Sequence, residues 1–201
     1  MKKAALFFLL FASVSFAQLK LEAYAGGSFP ISNKPFSNFL SINYYPGINI
    51  GAAANYFLLN EFSLSPFAEY TIFLFKNNSS GFAVLPNSGS TSVSGSNTQF
   101  YKLGFNVKFF PRFIMLSRGY ILTGFTWYGV KPGSIDVIWY EPNKGSQHSS
   151  EQIDDKHFIS QNFGIGIPIA KATSFEVMIE GLVSTNYTDR FLGSLNLGFY
   201  F

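Results

Sequence analysis

Polar and apolar positions alternate along most of this chain, and the alternation is clearest in its last eleven residues, Phe191 to Phe201. Phe201, Phe199, Leu197, Leu195 and Phe191 fall on one side, with Gly193 the only gap. Tyr200, Gly198, Asn196 and Ser194 fall on the other, followed by Leu192. Successive side chains of a strand point to opposite faces, so the stretch reads as a strand with one apolar and one small, mostly polar face. Its length is about that of a tilted strand crossing a bilayer. Such an apolar face belongs either in a soluble core or in lipid, and the rest of the chain decides between them.

The same period recurs seven times upstream. Leu19 to Gly26 sets Leu19, Leu21, Ala23 and Ala25 against Lys20, Glu22 and Tyr24. Gly47 to Leu58 and Phe62 to Phe75 form a second and third strand about a tight turn at Leu59-Asn60-Glu61, and Pro66 predicts a bulge or break near the start of the third. Tyr101 to Phe109 sets Tyr101, Leu103, Phe105, Val107 and Phe109 against Lys102, Gly104, Asn106 and Lys108. Tyr120 to Val130 is a fifth strand, with Ile121, Thr123, Phe125 and Trp127 outward. Phe158 to Ile167 is a sixth, Ser174 to Val183 a seventh, and the chain between them turns over Pro168 to Thr173.

Eight strands is an even number, and their connections alternate long and short. The segments near 29–46, 76–98, 131–157 and 184–190 are loops, and the Ser/Gly/Asn-rich run from Asn77 to Asn97 has too little apolar content to order itself. Outer-membrane barrels combine an even strand count with short periplasmic turns and longer external loops. The expected fold is therefore all-β, an eight-stranded antiparallel up-and-down transmembrane β-barrel, with both termini periplasmic and the long loops outside. The apolar connection Phe113-Ile-Met-Leu116 is richer than a turn requires and fits a short helical turn at the membrane surface.

The amino terminus sets the compartment. Lys2 and Lys3 precede the apolar run Ala4 to Phe11, and Ser15-Phe16-Ala17 offers small residues for a signal peptidase, so residues 1–17 read as a cleaved secretory signal and 18–201 as one domain. Loss of Lys2 and Lys3 lowers the net charge from +3 to +1, and no basic stripe points to nucleic acid. The chain has no cysteine, 47% hydrophobic residues and only 12% charged ones. Downstream of the signal no run of 18 apolar residues occurs, so helical spans are excluded, and a closed barrel is the remaining way to pair every backbone group in lipid.

The chain resembles the OmpA/OmpX-type small outer-membrane β-barrels, the "outer membrane protein β-barrel domain" group. The resemblance rests on Gly26 to Pro30 as glycine-x-x-x-proline, on Pro46 to Tyr56 as a second strand, and on the terminal Gly198-Phe199-Tyr200-Phe201. It covers the whole mature chain. It implies an assembly signal at Phe199, Tyr200 and Phe201, read by the barrel-assembly machinery during biogenesis. No peptidoglycan-binding domain is expected after the last strand.

Chemistry, if any, lies inside the barrel or in its loops. The inward faces carry Lys20, Glu22, Glu69, Lys102, Lys108, Glu176 and Glu180, and the outward faces carry no charge. An eight-stranded barrel has room for side chains and no aqueous channel, so these residues are expected to pair as a structural plug rather than line a gated conduit. His157, near Asp154, Asp155 and Ser160, and His148, beside Ser149 and Ser150, are the candidates for a lipid-modifying outer-membrane enzyme. Nothing in their spacing fixes a catalytic triad or a metal geometry, so neither a catalytic role, a metal nor a cofactor is expected. Trp139 and Tyr140 in the longest loop are candidate contacts for an extracellular ligand, or else fold back on the barrel mouth. Tyr56, Phe57, Phe109, Phe110, Phe199 and Phe201 at one set of strand ends, and Phe73, Phe75, Tyr101, Trp127 and Phe191 at the other, read as two interfacial girdles. The expectation is a monomeric, non-enzymatic barrel in outer-membrane lipid. The alternatives are the enzyme, a narrow pore for small solutes, and a soluble lipocalin-like carrier.

Overall fold

A computed structural model of the chain describes residues 18–31, 43–76, 91–111, 119–141, 145–152, 157–182 and 191–201. The signal segment, Phe113 to Leu116, and Asp154 and Asp155 lie outside these residues. The strands in chain order are β1 (Gln18–Pro30), β2 (Gly47–Leu59), β3 (Phe62–Phe73), β4 (Thr91–Gly95), β5 (Thr98–Phe109), β6 (Tyr120–Lys131), β7 (Ser134–Glu141), β8 (Gly145–Gln152), β9 (His157–Ala170), β10 (Thr173–Leu182) and β11 (Phe191–Tyr200). Eight of them, β1, β2, β3, β5, β6, β9, β10 and β11, close into one antiparallel barrel. Each pairs with its predecessor in this order, and β11 returns to β1 with Glu22 opposite Tyr200 and Pro30 opposite Leu192. Closure removes both sheet edges, so every barrel strand has a partner on each side.

The period of two persists around the whole barrel. Along β3 burial alternates strictly from Phe62 to Glu69, with Ser63, Ser65, Phe67 and Glu69 inside. Along β6 Leu122, Gly124, Thr126 and Tyr128 are inside while Ile121, Thr123, Phe125 and Trp127 face out. Small residues on one strand make room for large inward rings on the next. Tyr24 crosses Gly51, and Tyr120 crosses Gly166, in each case lying where a β-carbon on that glycine would be.

Several boundaries differ from the sequence reading. β3 runs through Pro66 without a break, and its register with β5 is continuous there. On the β2 side the ladder skips from Ala53–Phe67 to Tyr56–Leu64 with no change of register, as expected where proline offers no N–H. The irregularity in that hairpin sits instead beside the turn, between Phe57 and Leu59. β1 continues through Gly26–Pro30, because Pro30 still pairs with Leu192. β9 likewise continues past Pro168 to Ala170, leaving only Lys171 and Ala172 as the turn.

The loop reading needs the larger correction. β4, β7 and β8 form a second, three-stranded sheet in the order β4-β7-β8. β7 and β8 are a hairpin in the long β6–β9 connection, and β4 joins it from the Ser/Gly/Asn-rich segment through Val93–Val137 and its neighbours. Thr91–Gly95 of that segment is ordered by pairing with a hairpin distant in sequence, and residues 77–90 lie outside the described residues.

Candidate functional site: a charged interior closed by aromatics

Two lysines organise the barrel interior. Lys102, on β5, lies 2.7 Å from Glu69 Oε1 and 3.1 Å from Glu180 Oε1, with no side-chain exposure. Thr71 donates to Glu69 Oε1 at 2.9 Å, and the Lys102 ammonium lies 5.2 Å from the centre of the Tyr128 ring. Six residues further along β5, Lys108 lies 3.1 Å from Glu22 Oε2 and 3.4 Å from Glu176 Oε2. Donors complete this second cluster: Asn55 to Glu22 Oε2 at 3.0 Å, Ser174 to Glu22 Oε1 at 3.1 Å, and the Tyr120 hydroxyl to Glu176 Oε2 at 2.9 Å.

These contacts follow from register. Lys102 sits directly opposite Glu69 across the β5–β3 ladder, and Glu180 reaches it across the barrel from β10. Burying such charges is costly unless each is paired and hydrogen-bonded. An amide ladder fills the remaining wall: Asn162 donates to Asn106 Oδ1 at 3.0 Å and accepts from Thr126 at 3.0 Å, and Asn49 donates to Asn196 Oδ1 at 2.9 Å. Beside Lys108 a cavity of about 20 Å³ remains, the room one water needs.

Six of the seven interior residues expected from sequence meet in these two clusters. Lys20 does not. It is too close to the turn end of β1, where it is exposed and its ammonium lies 5.2 Å from the Phe57 ring. There a cavity of about 380 Å³, lined by Lys20, Phe57, Phe110, Tyr120, Lys171 and Tyr200 among others, forms the mouth of the barrel.

The opposite end is closed by a layer that the sequence reading placed elsewhere. Phe73, Phe100 and Tyr128 are fully buried and pack with Tyr44, Val130, Ile135 and Leu192 across the barrel. Phe73 and Phe100 have ring centroids 5.3 Å apart, and Tyr128 stacks on Phe158 at 4.2 Å. Phe73 is core and not girdle, because the inward phase of β3 overrides its position at the strand's end, and Phe75, just beyond β3, is partly buried against the same cluster. Phe57 and Phe110 likewise line the mouth. Val93 and Val137 of the second sheet also pack on the aromatic cluster, so one face of that sheet lies over the loop end. The signal for this layer was in the sequence: Phe100 and Lys102 share one face of β5, as do Phe73 and Glu69 on β3.

The other candidates separate. His157 stacks on Trp127 outside the wall at 5.2 Å, whereas Ser160 is inside and donates to Asn162 Oδ1 at 3.3 Å. The two therefore lie on opposite faces of β9. His148 is exposed on β8 and has Asp136 Oδ1 at 3.4 Å from Nε2. Trp139 and Tyr140 lie within β7, not in an irregular loop; Trp139 pairs with Thr91 and Gln147, and Tyr140 with Ser146. Phe199 is on the outer wall, Tyr200 lines the mouth, and the Phe201 amide donates to Leu21 O at 2.9 Å. Among the described residues no group of three or more His, Cys, Asp and Glu is arranged to hold a metal ion.

No protein-family model and no curated protein sequence matches this chain. Solved structures with a similar course include the N-terminal β-barrel domain of Pseudomonas aeruginosa OprF, 10% identical, covering 92% of this chain and 99% of that one, with a TM-score of 0.48. Neisserial surface protein A is 12% identical over 92% and 97% of the two chains, with a TM-score of 0.43. Ail, the attachment invasion locus protein of Yersinia pestis, is 12% identical over 91% and 97%, with a TM-score of 0.40. Eight sequential antiparallel strands closed first to last are the architecture of the OmpA/OmpX-type barrels that the sequence resembles.

Proposed function

We propose that this chain is an integral outer-membrane protein whose barrel is an anchor and whose loop-end sheet is the surface it presents outside the cell. One observation carries this reading: the outer wall is apolar all the way round. Leu21, Ile50, Leu103, Phe125, Phe163, Ile179 and Leu197, from seven different strands, are all between 42% and 63% exposed. A water-soluble monomer rarely leaves an apolar patch of more than a few hundred Å² uncovered, whereas lipid covers such a belt without cost. Every charged residue of the barrel's middle points the other way.

The carrier alternative needs an apolar cavity, and the cavity among the described interior ion pairs is polar in its surroundings and has room for about one water. The pore alternative needs an open axis, and the aromatic layer lies across it. The enzyme alternative through His157 needs a nucleophile beside it, and His157 and Ser160 are on opposite faces; through His148 it would rest on Asp136 and the serines of exposed β8, outside the barrel. The proposed role is therefore anchoring and presentation, without catalysis or cofactor, by a monomer that the assembly machinery inserts after export.

The test is cell fractionation followed by electrophoresis of detergent-extracted protein, heated and unheated. The reading expects recovery in the outer-membrane fraction and faster migration without heating. Release as a soluble periplasmic protein would overturn it and return the carrier.

A further inference from the structure

The barrel interior is sealed at one end and open at the other. The buried rings of Phe73, Phe100 and Tyr128 cross the loop end, whereas the last inward positions at the turn end surround the cavity of about 380 Å³. That is the size of a small-molecule pocket. Its wall is a continuous aromatic strip: Phe57 and Phe110 have ring centroids 5.5 Å apart, and Phe110 and Tyr120 5.1 Å apart. The strip is held from behind. The Phe110 amide donates to Glu61 O at 2.8 Å, and Tyr120 lies across Gly166 with its hydroxyl donated to Glu176. Asn55, on the same floor, donates its amide to Glu22. Tyr120 and Asn55 thus turn their polar groups toward the Lys108 cluster and leave ring surface to the cavity.

Two ammonium groups stand at the rim. Lys20 has the inward phase of β1 but lies beyond Glu22, and Lys171 is in the β9–β10 turn; both are exposed. They flank the end of β11, where Leu21 O accepts from the Phe201 amide on one side and Ala172 O from the Tyr200 amide on the other. Neither lysine has an ion-pair partner among the described residues, and no acidic side chain among them lines the cavity. Lys20 rests 5.2 Å from the Phe57 ring, a weak contact at an exposed site that leaves its N–H groups to water or a ligand. Aromatic walls with unmatched cations at the rim suit an anionic group on an apolar body. We propose that the mouth binds a small organic anion of this kind, an arylalkyl carboxylate, with its ring against Phe57, Phe110 and Tyr120 and its carboxylate at Lys20 and Lys171. A diacyl phospholipid offers the same chemistry, but a cavity near the lower bound for small-molecule sites holds one ring or short chain and not two acyl chains. The aromatic layer beyond makes this a site of binding and not of passage.

The test is fluorine magnetic resonance of a fluorinated phenylpropanoate titrated into the folded protein in a non-ionic detergent, with protein-free micelles as the baseline. It depends on the barrel's geometry and not on the compartment the mouth faces, so its outcome is independent of the membrane reading. The expected result is saturable broadening of the fluorine line, weaker with the uncharged amide of the same acid and absent with the corresponding phenylpropylamine. Lys20→Gln and Lys171→Gln should each weaken binding about two- to fivefold, the range for one exposed charge pair. Lys131→Gln, an exposed lysine at the other end of the barrel, should leave it unchanged. No saturable binding beyond that of empty micelles would overturn the proposal. So would equal binding of the acid, the amide and the amine, or a Lys20→Gln and Lys171→Gln double variant that binds like the wild type. Dimyristoyl phosphatidylglycerol should displace the probe no better than dimyristoyl phosphatidylcholine; displacement by the anionic lipid alone would overturn the small-anion assignment and make the mouth a headgroup site. Unheated electrophoretic mobility checks that each variant folds. If a variant does not fold, the comparison of acid, amide and amine on the wild type decides by itself.

Discussion

Replacing Lys102 by methionine removes the ammonium that Glu69 and Glu180 share while keeping most of the side chain's length. The substitution breaks two ion pairs, 2.7 and 3.1 Å long, among three side chains that are essentially without solvent. Removing one partner of a buried ion pair costs on the order of 3–5 kcal/mol, because the other charge is left uncompensated. Here one ammonium serves two carboxyl groups, so the upper part of that range is expected at neutral pH. Replacing all three members by methionine removes the charges with the ammonium, and buried ionic triads exchanged for apolar groups are often neutral in stability. The triple variant should therefore recover most of the stability that the single one forfeits. The assay is urea-dependent folding into lipid vesicles, followed by tryptophan fluorescence and by the unheated mobility of the folded form. A loss below about 1 kcal/mol for Lys102→Met, the size of an ordinary neutral hydrogen bond, would refute the view that this cluster is a desolvated part of the core. A triple variant no better than the single one would show that packing, and not charge, sets the cost.

Three further outcomes follow from the same arrangement. Leu103 is the outward neighbour of Lys102 near the middle of β5, and Leu103→Arg should cost about 2–4 kcal/mol in vesicle folding, as for a cation at the bilayer midplane; a neutral result would place that position in water. Gly166→Val puts a branched side chain where the Tyr120 ring lies, so it should displace Tyr120 from Glu176 and lower the yield of folded, fast-migrating protein, whereas Gly145→Val, with open space around it but a positive φ of 76°, should affect only the loop-end sheet. Phe100→Ala empties the centre of the aromatic layer, which is fully buried, and should cost about 3–5 kcal/mol in the same urea titration; a loss under half of that would mean the ring packs loosely and the layer does not close the barrel.

Much of the barrel was legible because one rule, period two, governs both its faces. It gave the eight strands, the outward set Ile121, Thr123, Phe125 and Trp127, and the inward phase of six charged residues that meet at Lys102 and Lys108. The partners were not legible. That Glu180 crosses the barrel to Lys102 while Glu22 reaches Lys108 depends on register and strand order, which no local pattern encodes. The aromatic layer was misread for a different reason. Phe73 has the phase of an interior residue and the size and position of a girdle residue, and in this barrel phase decides. β4 was missed because its strand character comes from Val137, Ile135 and Trp139 opposite it, some forty residues away. Proline misled at 30, 66 and 168, since a missing N–H ends a ladder only where no neighbouring strand holds the chain in place.

The central claim is that the wall of this barrel faces lipid and its charges face inward, and Trp127 reports on it directly. The chain has two tryptophans, so Trp139→Phe leaves Trp127 alone on the outer wall, 41% exposed and flanked by Phe125. The measurement is its fluorescence after folding into vesicles whose acyl chains carry bromine. The account predicts strong quenching by the brominated lipid and little by aqueous iodide. Quenching by iodide with none by the lipid would contradict it, because the surface assigned to the membrane would then be in water.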